Sequence, residues 1–187
     1  DIKQTPTYSM RTLAFHEAIP GHHLQVALNL ENEDLSLYRR FGYGTSAFSE
    51  GWALYAERLS LEIGLAKSPY DELGILQSEL FRAVRLVVDT GIHFKRWTRE
   101  EAMKYMKEIT GMSDTEVTTE IERYIVWPGQ ACSYKVGMLK ILELREKAKH
   151  SLGNSFDIRD FHSAILEHGE PPLFIVEELV NQMIIQK

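Results

Sequence analysis

The chain has 187 residues, 44% of them hydrophobic and 26% charged, which suits one domain of ordinary globular composition. A formal net charge of −6, with no basic cluster and no interleaved aromatic patch, argues against nucleic acid and anionic membranes as partners. The single cysteine, Cys132, excludes an internal disulfide and a cysteine-based zinc site, and no apolar run is long enough to span a membrane.

The apolar spacing predicts a helix from Leu13 to Leu30, interrupted at Pro20-Gly21. Residues 31–36, ENEDLS, are polar and predict a turn; residues 38–47, YRRFGYGTSA, carry two glycines and predict a loop. Ser49 is the expected N-cap of EGWALYAERLSLEIG, which Gly64 ends. A helix from Leu73 to His93 follows, with Leu76, Leu80, Val84, Val87 and Val88 on one side. Thr98 caps REEAMKYMKEIT, Glu101 completes a capping box, and Gly111 stops the helix. Ser113 opens DTEVTTEIERYI, WPGQ is a break, and ACSYKVGMLKILELREKAKH is a long helix. DIRDFHSAILEHG is another helix, ended by Gly169, and PPLFIVEELVNQMIIQ closes the chain with proline at its start. The short strand-like runs FIV and MII sit inside helical patterns, and there is no repeat or linker. The fold class that follows is all-α: one mostly helical domain over residues 1–187, a multi-helix array with a kinked helix near its start.

That kinked helix carries LAFHEAIPGHHLQ, residues 13–25, close to the zinc signature His-Glu-x-x-His but with Pro20 where the second histidine belongs. At about 100° per residue, His22 in a straight helix points well away from His16. His23 regains the face but lies about 10 Å along the axis, too far to share an ion. Pro20 lacks an N–H and Gly21 accepts unusual dihedrals, so the two extra residues can bulge outward and bring His22 onto the face of His16. In the plainer reading Pro-Gly ends one helix and starts another, leaving both histidines on the surface. A second stretch, FSEGWALYAERL, places Glu50 at a helix start 28 residues after His22. Zinc hydrolases with two histidines on one helix often take a third ligand from such a glutamate. Glu57 lies seven residues on, on the same face.

HEAIPGHHLQ, SEGWALYAERL, RAVRLVVDTGIH and PGQACSYKVG resemble, in this order, the signatures of the bacterial family called domain of unknown function 885, itself similar to the gluzincin metallopeptidases. Members of that family are about three times longer. The resemblance therefore implies that this chain is the C-terminal, metal-bearing part of a longer protein, packed against a missing N-terminal half. It also implies His16, His22 and Glu50 as Zn2+ ligands and Glu17 as general base. The Gly-His pair at 21 and 22 favours His22 over His23.

Glu17 follows a ligand directly and so points beside the ion, where a proton acceptor belongs. An oxyanion needs a donor opposite, and the similar peptidases take it from a distant tyrosine or histidine; the candidates are Tyr134 and His93. Arg85 and Asp89, four apart, either orient a ligand histidine or form a solvated salt bridge. His162 and His168 read as structural or exposed, and Cys132 as packed rather than nucleophilic. The leading expectation is a zinc-dependent peptidase or amidase in which activated water attacks the carbonyl of a peptide or small amide. The alternatives are a non-catalytic metal-binding or structural module, and a zinc hydrolase of a non-peptide amide or ester. The compartment stays open.

Overall fold

A computed structural model describes residues 6–42 and 44–187; expectations that fall on residues 1–5 or Tyr43 lie outside them. Among the described residues the chain is helical without strands, as the periodicity predicts. In chain order the helices are α1 (Ser9–Glu17), α2 (His22–Glu31), α3 (Leu37–Phe41), α4 (Ser46–Glu62), α5 (Pro69–His93), α6 (Arg99–Thr110), α7 (Asp114–Val126), α8 (Gln130–Leu152), α9 (Ile158–Leu166) and α10 (Leu173–Gln186).

The interruption at Pro20-Gly21 is wider than a kink: residues 18–21 are non-helical and separate α1 from α2. The reason is steric as well as local. A Cβ on Gly21 would lie 1.8 Å from the carbonyl oxygen of His16, so only glycine lets the chain fold back onto the end of α1. Trp52 of α4 donates its indole N–H to the Pro20 carbonyl at 2.9 Å and pins the break in place.

Other boundaries also depart from the sequence reading, among them the start of α1, which begins at Ser9 rather than Leu13. Residues 37–41, expected as loop, form the short α3, because the Ser36 hydroxyl accepts the Arg39 N–H at its start. Ser49 is not the N-cap of α4: the helix begins four residues earlier than expected, after Thr45, whose hydroxyl donates instead to the Pro171 carbonyl at 2.9 Å. α5 begins at Pro69 rather than Leu73, because Ser68 and Asp71 form a capping box with proline at the first helical position. The boundaries of α6 match the expectation: Thr98 and Glu101 form the box, and Gly111 ends the helix at φ 68°.

α8 is the central column, with α4, α5 and α10 packed on it. α4 and α8 meet backbone to backbone. A Cβ on Gly51 would lie 2.5 Å from the Gly137 Cα, and one on Gly137 would lie 1.8 Å from the Ala47 carbonyl oxygen. Around this crossing lies the larger core, in which Phe48, Trp52, Tyr55, Met138, Ile141 and Phe161 are fully or almost fully buried. A second core joins α5, α6 and α7 through Val84, Val88, Met106, Ile121 and Tyr124. The apolar face expected for α5 is divided: Val84 and Val88 are buried, whereas Leu76 and Leu80 are 52% and 43% exposed. Among the described residues no helix is long and apolar enough to cross a membrane.

Candidate metal centre

The break brings together what a straight helix keeps apart. His16 sits in the last turn of α1 and His22 is the first residue of α2. Their rings meet edge to face with centroids 4.8 Å apart. Glu50, one turn into α4, lies between them: its Oε2 is 3.2 Å from His22 Nε2 and 3.5 Å from His16 Nε2. One donor atom from each of the three residues falls within 4.8 Å of the other two. His23, the alternative to His22, is exposed.

A glutamate noted in the sequence only for its helical face completes the arrangement. Glu57 is 1% exposed, and its Oε1 accepts from His16 Nδ1 at 2.7 Å. In the neutral ring, with Nδ1 carrying that proton, Nε2 presents its lone pair toward Glu50 and His22. Ser49 Oγ lies 3.4 Å from His22 Nδ1, giving the second histidine a similar though longer tether. The sequence signal was present, since Glu50 and Glu57 are seven residues apart on one helix, but which of them faces a histidine is a matter of tertiary packing.

The electrostatics follow from burial among opposite charges. Burial by itself would lower the pKa of His16, but hydrogen bonds to Glu50 and Glu57 outweigh it and raise the pKa to about 9. Burial would likewise raise that of Glu50, but the two histidines hold it far below the usual carboxylate range. The two acids thus create a negative potential at the converging nitrogens, one that favours a proton or a metal cation.

The other expected residues fall in three places. Glu17 ends α1 beside His16 and is exposed, with no hydrogen bond or ion pair among the described residues. Tyr134, one turn into α8, stacks on His16 at 6.2 Å, and its hydroxyl helps to hold Glu50 ionised. His93 is not brought to this cluster: it is exposed at the end of α5, with Nε2 2.9 Å from the Tyr124 carbonyl oxygen. It lies eight residues beyond Arg85, about 12 Å along the helix.

Arg85 and Asp89 fit neither role expected of them, because both are buried and neither touches a histidine. Arg85 donates to Gln130 Oε1 at 3.0 Å, with its guanidinium 4.2 Å from the Tyr134 ring centroid, and Asp89 accepts the Gly129 N–H. Burial, with Asp89 nearby, raises the Cys132 thiol to about 11, which keeps it protonated and inert near neutral pH. His162 is structural, with its Nε2 2.8 Å from the Tyr55 hydroxyl; burial lowers its pKa to about 4.

Comparison with known proteins places this geometry in a family. The profile of the family described as "Bacterial protein of unknown function (DUF885)" matches residues 1–180. A crystal structure of "the putative lipoprotein from Colwellia psychrerythraea" is similar over 100% of this chain, at 52% identity and a TM-score of 0.95. The structure of a "putative lipoprotein of unknown function from Shewanella oneidensis" is similar over 94%, at 31% identity and a TM-score of 0.86. The chain spans 32% of each of these two proteins. A search of curated proteins found no match. On a profile match across nearly the whole chain and a half-identical relative along all of it, the protein belongs to the DUF885 family of bacterial proteins.

Proposed function

We propose that His16, His22 and Glu50 hold one divalent zinc ion and that the chain is the catalytic part of a gluzincin-like metallohydrolase cleaving peptide or small amide bonds. The observation that carries this reading is the spacing of the three donors. Ligands 2.0–2.2 Å from one tetrahedral ion lie about 3.3–3.6 Å from each other. Of the two separations from Glu50, 3.5 Å falls within that range and 3.2 Å just below it. Two imidazoles and one carboxylate are also the donor set of catalytic rather than structural zinc, because three protein ligands leave a fourth position open.

When bound, such an ion polarises a carbonyl and lowers the pKa of water. The residues of the chain do the rest. Glu57 fixes the His16 ring and its tautomer. Glu17, displaced from the ligand direction by one residue, accepts the proton of the attacking water at its carboxylate and passes it to the departing amine. Tyr134 offers its hydroxyl to the developing oxyanion, while Arg85 and His16 pack against its ring. Since the chain spans about a third of its solved relatives, the rest of the substrate cleft would come from an N-terminal part packed against it.

The test is zinc stoichiometry after dialysis against trace metal. His22→Ala should abolish stoichiometric zinc and His23→Ala should leave most of it. The reverse pattern would refute the ligand assignment.

A further inference from the structure

A cleft of about 270 Å³ opens beside His16 and Glu57, between α1, α5 and the turn from α6 to α7. Its walls are mixed. Leu13, Leu80, Phe81 and Met112 make an apolar side, and Thr12 and Arg82 are set into it. Among the described residues Arg82 is the only arginine or lysine lining it, and His16 lies at its edge.

Arg82 differs from two other half-buried arginines of the molecule, Arg123 and Arg145. Arg123 is paired with Glu120 and Arg145 with Glu62, each at 2.6 Å. Among the described residues no carboxylate lies within ion-pair distance of Arg82, and it donates to the neutral Ser78 hydroxyl at 2.8 Å; its Nε, like those of Arg123 and Arg145, has no partner. Of the two acids that line the cleft, Glu57 accepts from His16 through Oε1 while its buried Oε2 has no partner, and Glu116 accepts from the N–H and hydroxyl of Ser113. Thr12 is 3% exposed, and its hydroxyl also lacks a partner. A half-buried guanidinium without a counter-charge is a costly arrangement unless a ligand supplies the charge.

We propose that this cleft binds the free C-terminal carboxylate of a peptide, with Arg82 as its anchor and the apolar wall taking the terminal side chain. The charge and fork geometry of a guanidinium suit a carboxylate, and a bidentate pair fixes orientation as well as position. Distance sets the register. The Tyr134 ring lies 5.5 Å from the Arg82 guanidinium and 6.2 Å from the His16 ring. At about 3.3–3.6 Å per extended residue, a carboxylate on Arg82 places an amide one to three residues upstream at the His/Glu cluster. The site thus trims one to three residues from a free C-terminus and does not cut within long chains. This substrate class rests on the metallohydrolase reading; the anion subsite itself rests on Arg82 and the cleft.

The experiment is calorimetric binding of N-acetyl-alanyl-phenylalanine and of its C-terminal amide to the full chain, with and without zinc, alongside zinc stoichiometry. The free acid should bind at least about 10-fold more tightly than the amide in both states, as expected for a charge-assisted pair. Arg82→Gln should make acid and amide equal while zinc stoichiometry and the thermal melt stay unchanged, and Arg82→Lys should recover part of the preference. Equal binding of acid and amide by the unaltered chain, binding of neither, or a preference that survives Arg82→Gln would overturn the subsite. A preference for the acid in a chain that takes up no zinc would leave the subsite standing and remove the metal reading. Stoichiometric zinc with no preference would do the opposite.

Discussion

The α6–α7 arm and the α1–α2 elbow are built by opposite means. α6 and α7 each begin with a complete capping box, Thr98 with Glu101 and Ser113 with Glu116, and both are strongly amphipathic. Their limits are set by residues within four positions. α1 and α2 have no side-chain cap at either start, and their junction is held from a distance by Trp52 on Pro20 and Glu57 on His16. The locally coded arm carries no candidate chemistry. The distantly coded elbow carries both histidines. Groups that must converge at a site cannot all be neighbours in sequence, so the elements that bring them together are those that local rules describe least well.

Four measurements break or sharpen that contrast. The largest expected effect is at the elbow: Glu17→Gln should keep zinc and fold but lose about 10²–10⁴-fold in turnover, the usual contribution of a general base. Near-normal turnover with zinc bound would end its role as base.

Next is the histidine beneath the elbow. The pKa of His162 lies near 4 when folded, below the 6.5 of an unfolded chain. Its neutral form is favoured by folding, so its contribution is fully present above pH 6.5 and is lost as pH falls from there to 4. The loss is on the order of 3 kcal/mol. Denaturant titrations should therefore show a smaller acid-induced loss of stability for His162→Gln over that window; parallel curves would show that burial there does not resist protonation.

Glu57→Gln retains a hydrogen-bonding side chain but removes its charge. Zinc affinity should fall about 10–100-fold, as when a partner that orients a ligand is altered, and competition with a chelator would reveal an unchanged affinity if Glu57 were merely packed. The smallest effect lies in the arm. Thr98→Ala removes the hydroxyl half of a capping box, leaving the backbone N–H to Glu101, and should cost about 1 kcal/mol, seen as a Tm lower by about 2–4 °C, with zinc binding untouched. A change in zinc affinity there would show that the two regions are coupled.

The same contrast decides what could be read in the sequence. The limits of α6 follow from Thr98, Glu101 and Gly111 without any knowledge of the fold. α4 does not start where Ser49 suggests, since Thr45 is held by Pro171, 126 residues away. Leu76 and Leu80 of α5 share a helix face with Val84, yet they stay exposed, because periodicity reports which residues are apolar and not which neighbours cover them. His16, His22 and Glu50 were legible as a set through the motif they resemble, and the break that unites them through Pro20-Gly21. The hydrogen bond from His16 to Glu57 was not, since it depends on how α1 lies across α4. His93 was proposed from its place in a motif, and its position on the far end of α5 required the helix to be laid out in space.

The glycine contact between α4 and α8 has a consequence for how the site tolerates change. Glu50 immediately precedes Gly51, and Tyr134 lies one turn before Gly137, so both flank a joint where two main chains touch without intervening side chains. Swapping the apolar groups around that joint alters cohesion but not the distance between the helix axes. Aliphatic replacements at Met138 or Ile141 should therefore soften the molecule while leaving the spacing of Glu50 and Tyr134 fixed, whereas a single methyl group added at Gly137 would push the two apart.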